Sequence, residues 1–139
     1  MDFLDHKKGE NQMGFVDAVK SFFSRYVDFA GRSSRSEYWW VVLASMIVNY
    51  LIILPIQLMV SEGLGLALSV IFSLAVIIPT IALAVRRLHD TDKSGWWYLL
   101  VFIPILGWIA LIVFFATAGT KGANRFGSDP LGSDAAVFN

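Results

Sequence analysis

Residues 63–85 read GLGLALSVIFSLAVIIPTIALAV, a run without one Asp, Glu, Lys or Arg. A helix needs about 20 apolar residues to cross a hydrocarbon core of about 30 Å, so this run is long enough. Two others match it: YWWVVLASMIVNYLIILPIQLMV at 38–60 and WWYLLVFIPILGWIALIVFFATA at 96–118. The whole chain has 139 residues, 56% hydrophobic and only 16% charged. Average soluble domains are about 25% charged, and too little polar sequence remains here to hide three all-round apolar helices in a soluble core. The expected class is an all-α membrane protein with three transmembrane helices, in a single membrane domain at 15–132. Segments 1–14 and 133–139 are expected to be flexible. No short apolar stretch ending in small residues precedes the first run, so that run is expected to be an uncleaved anchor.

Outside the runs the charges set direction. Lys7, Lys8, Lys20, Arg25, Arg32 and Arg35 precede the first span; Arg86, Arg87 and Lys93 follow the second; Lys121 and Arg125 follow the third. The turn at 61–62 has no Lys or Arg, so an N-in, three-span arrangement puts nine basic residues inside and two outside. The positive-inside rule selects that orientation, with a cytoplasmic N-terminus. The brevity of the turn makes spans one and two a tight antiparallel hairpin. Span three has two readings. Pro104 and Gly107 near its middle fit one kinked crossing, which puts the tail outside. They also fit a re-entrant hairpin that returns the tail to the cytoplasm, although arms of about ten residues are too short to cross twice.

Before the spans, FVDAVKSFFSRYVDFA at 15–30 repeats at helical period. Phe15, Val19, Phe22, Phe23 and Tyr26 fall on one face, with Asp17, Lys20, Arg25 and Asp28 opposite. This predicts an amphipathic helix lying in the membrane interface; packing on neighbouring helices is the alternative. Gly31 is expected to end that helix as a left-handed cap. Ser34 and Glu37 have capping-box spacing and should open the first span. The triplets Tyr38-Trp39-Trp40 and Trp96-Trp97-Tyr98 suit a headgroup-level belt. Gly65, Ser69 and Ser73 share a face at small-xxx-small spacing, and Pro55, Pro79 and Pro104 predict one kink per span.

Several chemistries find little support. Cysteine is absent and the two histidines, His6 and His89, lie far apart, so no metal or cofactor is expected. Ser94 before Gly-Trp-Trp reads as a helix N-cap rather than a nucleophile. No acid, base or histidine lies within a span, where proton-coupled carriers place them. A net charge of +0 gives no bulk attraction to nucleic acid.

What remains is the inner rim. The hairpin brings GRSSRSE (31–37) and RRLHDTDKSG (86–95) to one side, where Arg32, Arg35, Arg86 and Arg87 can meet Glu37, Asp90 and Asp92. One reading is a salt-bridged collar holding helix ends. The other is an anion site, since arginine's planar fork suits phosphate oxygens.

The segments GRSSRSEYWW, RRLHDTDKSGWW and GANRFGSDP, in this order between apolar spans, resemble the small bacterial inner-membrane proteins grouped as domain of unknown function 805. Gly31, Arg32, Arg35, Glu37 and Trp39 match the first motif. Arg86 to Asp90 and Ser94 to Trp96 match the second, and Asn124, Arg125, Gly127, Asp129 and Pro130 the third. Asp92 stands where glycine is common, which puts a sharp turn there in question. The resemblance implies a bacterial inner-membrane location and no established reaction. It also draws attention to Asn124, Arg125 and Asp129, which three full crossings would keep away from the other two motifs.

The expectation is an integral inner-membrane protein with a non-enzymatic scaffold or accessory role. Its rim of Arg32, Arg35, Glu37, Arg86, Arg87, His89 and Asp90 would contact anionic lipid headgroups, a second copy or another inner-membrane protein. One rival is a membrane enzyme acting on a phosphate-containing headgroup, with His89 as acid or base oriented by Asp90. Another is a small oligomeric channel.

Overall fold

Each long helix begins where a serine caps it. The structure, a computed structural model, describes residues 13–132. The flexible ends expected at 1–14 and 133–139 lie outside the described residues, except for Met13 and Gly14. The elements are α1 (Phe15–Ser24), α2 (Arg35–Met59), α3 (Glu62–Asp90), a 3-10 segment (Gly95–Phe102) and α4 (Leu106–Ala116). Among the described residues there is no strand, only an isolated bridge between Asn124 and Gly127.

Ser34 opens α2, its Oγ accepting the Glu37 amide at 3.3 Å. Only half of the expected capping box forms, because the Glu37 carboxylate turns inward to Ser21 and Arg86. Ser61 opens α3 by accepting the Leu64 amide at 3.2 Å. The two-residue link forces α2 and α3 into the expected hairpin. They approach closely at Gly65, where an added Cβ would lie 2.6 Å from the Gln57 Cα. Both helices are long and apolar enough to cross a membrane, at 25 and 29 residues.

Pro55 acts before its own position. Proline lacks an N–H and its ring crowds the carbonyl four residues back. In α2 the preceding turns, Ile47–Ile53, widen into a π-helix, and the Leu54 N–H reaches the Asn49 carbonyl, five residues back. By contrast, Pro79 sits inside an unbroken α3.

The third apolar run does not form one kinked crossing. It splits at 103–105 into the 3-10 segment and α4, with Ile105 at φ +67°. A β-branched residue in that region is a backbone outlier. The two arms pack on each other: a Cβ at Gly107 would lie 1.9 Å from the Leu100 carbonyl oxygen, and Trp108 Nε1 donates to Val101 O at 2.8 Å. Each arm is roughly 16 Å long, about half a hydrocarbon core. Both ends of the run meet the same end of α3. Gly95 lies against Val85, and Phe115 O accepts from Arg87. The run therefore goes out and comes back.

The helix expected over 15–30 is shorter, ending at Ser24. Residues 25–31 form a loop closed by Asp28, whose Oδ1 accepts the amides of Ala30 and Gly31. Gly31 is not a left-handed cap. It is tight instead, with an added Cβ 2.5 Å from Arg25 Nη2. The apolar face of α1 divides. Ala18 and Phe22 pack with Val41 and Leu83, while Phe15, Val16 and Phe23 stay exposed. A second core cluster joins Ala84, Leu88, Leu111 and Phe115, tying α4 to α3.

Candidate functional site: an arginine node at one end of the hairpin

Arg86 and Arg87 lie at the C-terminal end of α3, Arg87 in its last turn, and both are fully buried. Charged side chains rarely reach that state unless paired. Arg86 points toward α1 and its loop. Its Nε donates to Ser33 Oγ (2.8 Å), its Nη1 to the carbonyls of Asp28 (2.8 Å) and Arg25 (3.1 Å), and its Nη2 to Glu37 Oε2 (3.4 Å). Arg87 points toward the returning run. Its Nε donates to Phe115 O (2.9 Å), its Nη1 to Asp90 Oδ2 (2.8 Å) and Ser33 O (3.3 Å), and its Nη2 to Thr117 O.

Arg32 completes the node from the loop before α2. Its Nε and Nη2 hold Asp90 Oδ1, at 3.0 and 2.9 Å. Its remaining donors take the carbonyls of Thr120 (2.6 Å), Gly122 (2.7 Å) and Gly127 (3.1 Å). Asp90 therefore bridges two arginines, one oxygen each. Arg25, Arg32, Arg86 and Arg87 pair with Asp28, Glu37 and Asp90, and the Asp129 carboxylate lies near Asp90, so the cluster is close to neutral. Burial alone would raise the Asp28 carboxyl. The amides of Ala30 and Gly31 and the Arg25 guanidinium outweigh that and hold it at about 2, below the ordinary 3.8.

The fold-back gives the tail a place that three crossings would deny it. Thr120 N–H donates to Asp90 O at 2.7 Å. Asn124 Nδ2 donates to His89 O at 2.9 Å, and its Oδ1 accepts the Phe126 amide. Asp129 accepts the amides of Gly122 and Leu131, closing the tail into a compact loop. Arg125 donates to Asp92 Oδ1 at 3.2 Å and to Asp92 O at 3.0 Å. Asp92 has φ +59°, so the sharp turn forms without glycine there. Aspartate is among the few residues that tolerate this conformation. All three motif segments thus meet at one end of the hairpin.

His89 and Asp90 do not form a dyad. Both Asp90 oxygens face arginines, while His89 Nδ1 lies 2.9 Å from the Gly31 carbonyl. That acceptor selects the tautomer with the proton on Nδ1. The His89 ring stacks on Phe126, centroids 3.9 Å apart and planes at 3°. The enzyme reading loses the orienting contact on which it rested.

Nor do Arg32, Arg86 and Arg87 form an open rim. Their donors face carbonyls, a hydroxyl and carboxylates of this chain, which leaves no fork directed outward for a phosphate. Exposed cations lie around them: Lys20, Arg35, Lys121 and Arg125. Arg35 also donates to Ala116 O at 3.3 Å. Residue pattern alone missed the acceptors at Phe115, Thr117, Thr120 and Gly122. These are backbone carbonyls, which carry no residue-type signal. The one available hint was the Pro104–Gly107 break that allows the run to return.

Beside the node, a cavity of about 610 Å³ opens between α1 and the tail, lined by Asp17, Arg25, Arg32, Glu37, Phe126 and Ser128 among others. Among the described residues, no group of three or more His, Asp or Glu side chains gathers as a metal site would require.

Comparison with known proteins gives a consistent picture. The family described as "Protein of unknown function (DUF805)" matches residues 26–128. Inner membrane protein YhaI of Escherichia coli K12 is 52% identical over 111 residues, covering 79% of this chain and 92% of its own. Inner membrane protein YhaH of the same strain is 44% identical over 120 residues, covering 83% and 97%. The uncharacterised protein YiiR, also from that strain, is 26% identical over 129 residues, covering 73% and 84%. No solved structure matches the chain.

Proposed function

The chain belongs to the DUF805 family, and on that premise we propose that it is a non-enzymatic, multi-pass accessory component of the bacterial inner membrane. In this reading α2 and α3 cross as a hairpin, with the N-terminus and tail both cytoplasmic. The third run enters from the cytoplasmic side and turns back. The arginine node is a clasp at the inner headgroup level, and the exposed cations around it contact anionic headgroups.

One observation carries this reading. With the third run folded back, the nine Lys and Arg among the described residues belong to the end of the hairpin that holds the node, and the turn at Ser61–Glu62 has none. Three full crossings would divide these nine seven to two. The positive-inside rule is better met by the observed geometry. The names of the relatives agree with an inner-membrane location. The interfacial position of α1 draws support from its exposed Phe15, Val16 and Phe23 beside Lys20.

Because the chain lacks cysteine, single cysteines report topology cleanly. Ser61→Cys should react with a membrane-impermeant maleimide in intact spheroplasts, and Lys121→Cys only after permeabilisation. Labelling of Lys121→Cys from outside would overturn the fold-back topology. For the headgroup role, the Lys20→Ala, Arg35→Ala, Lys121→Ala triple variant should retain several-fold less phosphatidylglycerol in native mass spectrometry. Unchanged retention would remove that role.

A further inference from the structure

The spans contain few polar side chains, and most of them gather in one place. Ser45, Asn49, Tyr50 and Gln57 of α2 and Ser69 and Thr80 of α3 line a cleft of about 450 Å³ on one side of the hairpin. No Asp, Glu, Lys, Arg or His lines it. The cleft runs along the π-helical turns Ile47–Ile53, which contribute Asn49, Tyr50 and Ile53 to its lining. Wide turns of this type are rare and recur at functional sites.

The hydrogen-bonding capacity of these residues is largely unused. Asn49 Nδ2 donates to Ser45 O at 2.8 Å. Among the described residues the Asn49 carbonyl oxygen and the side chains of Gln57, Ser69 and Thr80 have no partner. If α2 and α3 cross the membrane, as the proposed function holds, these groups lie in hydrocarbon, where an unmet amide or hydroxyl costs kilocalories. A volume of this size, mostly apolar with a few placed polar groups, is typical of a small-ligand site between helices.

We propose that this cleft binds one uncharged lipid bearing hydroxyl or carbonyl groups, of the diacylglycerol type. The absence of charged lining residues excludes a headgroup with a formal charge at this depth. The amides and hydroxyls supply both donors and acceptors for a hydroxyl or an ester carbonyl, and the apolar walls take the chain. A second copy fits less well. Apart from Ser73, the outward side chains of the hairpin beyond the cleft, such as Leu51, Leu58, Val70, Ile71 and Leu74, are apolar and offer few partners for the amides.

The test is native mass spectrometry of the full chain in mild detergent, titrated with dioctanoylglycerol and, separately, dioctanoyl phosphatidylglycerol. One dioctanoylglycerol should bind per chain. The Asn49→Leu, Gln57→Leu double variant should bind it about tenfold more weakly, the loss expected from two ordinary hydrogen bonds. Phosphatidylglycerol binding should not change. Ser69→Phe fills the cleft and keeps both amides, so an equal loss in that variant assigns the effect to the cleft; unfolding of either variant would show as lost helicity. Wild-type binding by both variants, or no dioctanoylglycerol adduct at all, would overturn the proposal. So would a dimer that both variants dissolve, since the cleft would then hold a second copy. Ser61→Cys labelling separates this from the topology. If the label reads a transmembrane hairpin and no lipid binds, only the lipid site falls.

Discussion

Arg87 and Arg125 each face an aspartate at the same end of the molecule, in opposite physical settings. The Arg87 and Asp90 side chains are 0% and 5% exposed, with N and O atoms 2.8 Å apart. Those of Arg125 and Asp92 are 60% and 48% exposed, with a 3.2 Å contact. The difference lies in the elements that carry them. Arg87 sits on the last turn of α3, on the face that receives both the loop before α2 and the returning run. Arg125 sits on the outer loop of the tail. A buried pair is weak evidence of net stabilisation, yet removing one partner leaves an uncompensated charge and costs about 3–5 kcal/mol. An exposed pair contributes about 0–1 kcal/mol. Four perturbations, in descending order of effect, separate the two settings.

The largest effect is expected from Asp90→Ala. Asp90 pairs with Arg32 and Arg87 together, so its loss leaves two buried guanidinium groups without their countercharge. A destabilisation of about 3–5 kcal/mol, or a fall in Tm of roughly 10 °C or more, should appear in thermal unfolding in mild detergent. The tail should also become sensitive to protease, because Arg32 would no longer hold the carbonyls of Thr120, Gly122 and Gly127 in register. A Tm within 2–3 °C of wild type, roughly a change below 1 kcal/mol, would show that the node is not the clasp.

Glu37→Gln tests the other half of the node. The substitution keeps the shape and one acceptor for Ser21 and Arg86 but removes the charge opposite Arg86. The expected loss is about 1–3 kcal/mol by the same unfolding measurement. A loss as large as that of Asp90→Ala would mean that the two halves are equivalent, which their geometry argues against. Glu37 faces one buried arginine, Arg86, at 3.4 Å, whereas Asp90 faces two, at 2.9 and 2.8 Å.

Acid should act next, at the edge of the node. The folded Asp28 carboxyl lies at about 2 against an ordinary 3.8. A depressed value means that the group contributes stability above about pH 4 and loses it as pH falls toward 2. The effect is modest because the side chain is about a third exposed. Asp28→Asn should flatten the decline in Tm between pH 4 and 2 relative to wild type; an unchanged decline would assign the acid sensitivity elsewhere.

These contrasts also separate what residue pattern could predict from what it could not. The long helices α2 and α3 follow from uninterrupted apolar runs, and their starts at Ser34 and Ser61 follow from cap chemistry that acts within a few residues. The gathering of Arg32, Glu37, Arg86 and Asp90 follows from the hairpin alone. The return of the third run was not decided by pattern, because both a kinked crossing and a fold-back satisfy the same apolar count. Packing of Gly107 on the Leu100 carbonyl makes the choice, and that contact is invisible before the arms meet. The difference between an open rim and a closed node was hidden for the same reason. It depends on whether the carbonyls of Phe115 to Gly122 arrive, and they arrive only if the run returns.

The smallest effect is expected at the outer pair. Asp92 holds φ +59°, a conformation glycine adopts without steric penalty and aspartate at a small one. Asp92→Gly should relieve that cost but lose the Oδ1 contact to Arg125. It keeps the bond from Arg125 Nη2 to the residue 92 carbonyl. The two changes oppose each other and each is worth about 1 kcal/mol or less, so Tm should move by no more than 2–3 °C in either direction. Arg125→Ala in the glycine background should then add almost nothing. A large loss in either variant would place the outer pair in the same class as the buried one. The tail would then be held from its exposed side as well as through Arg32.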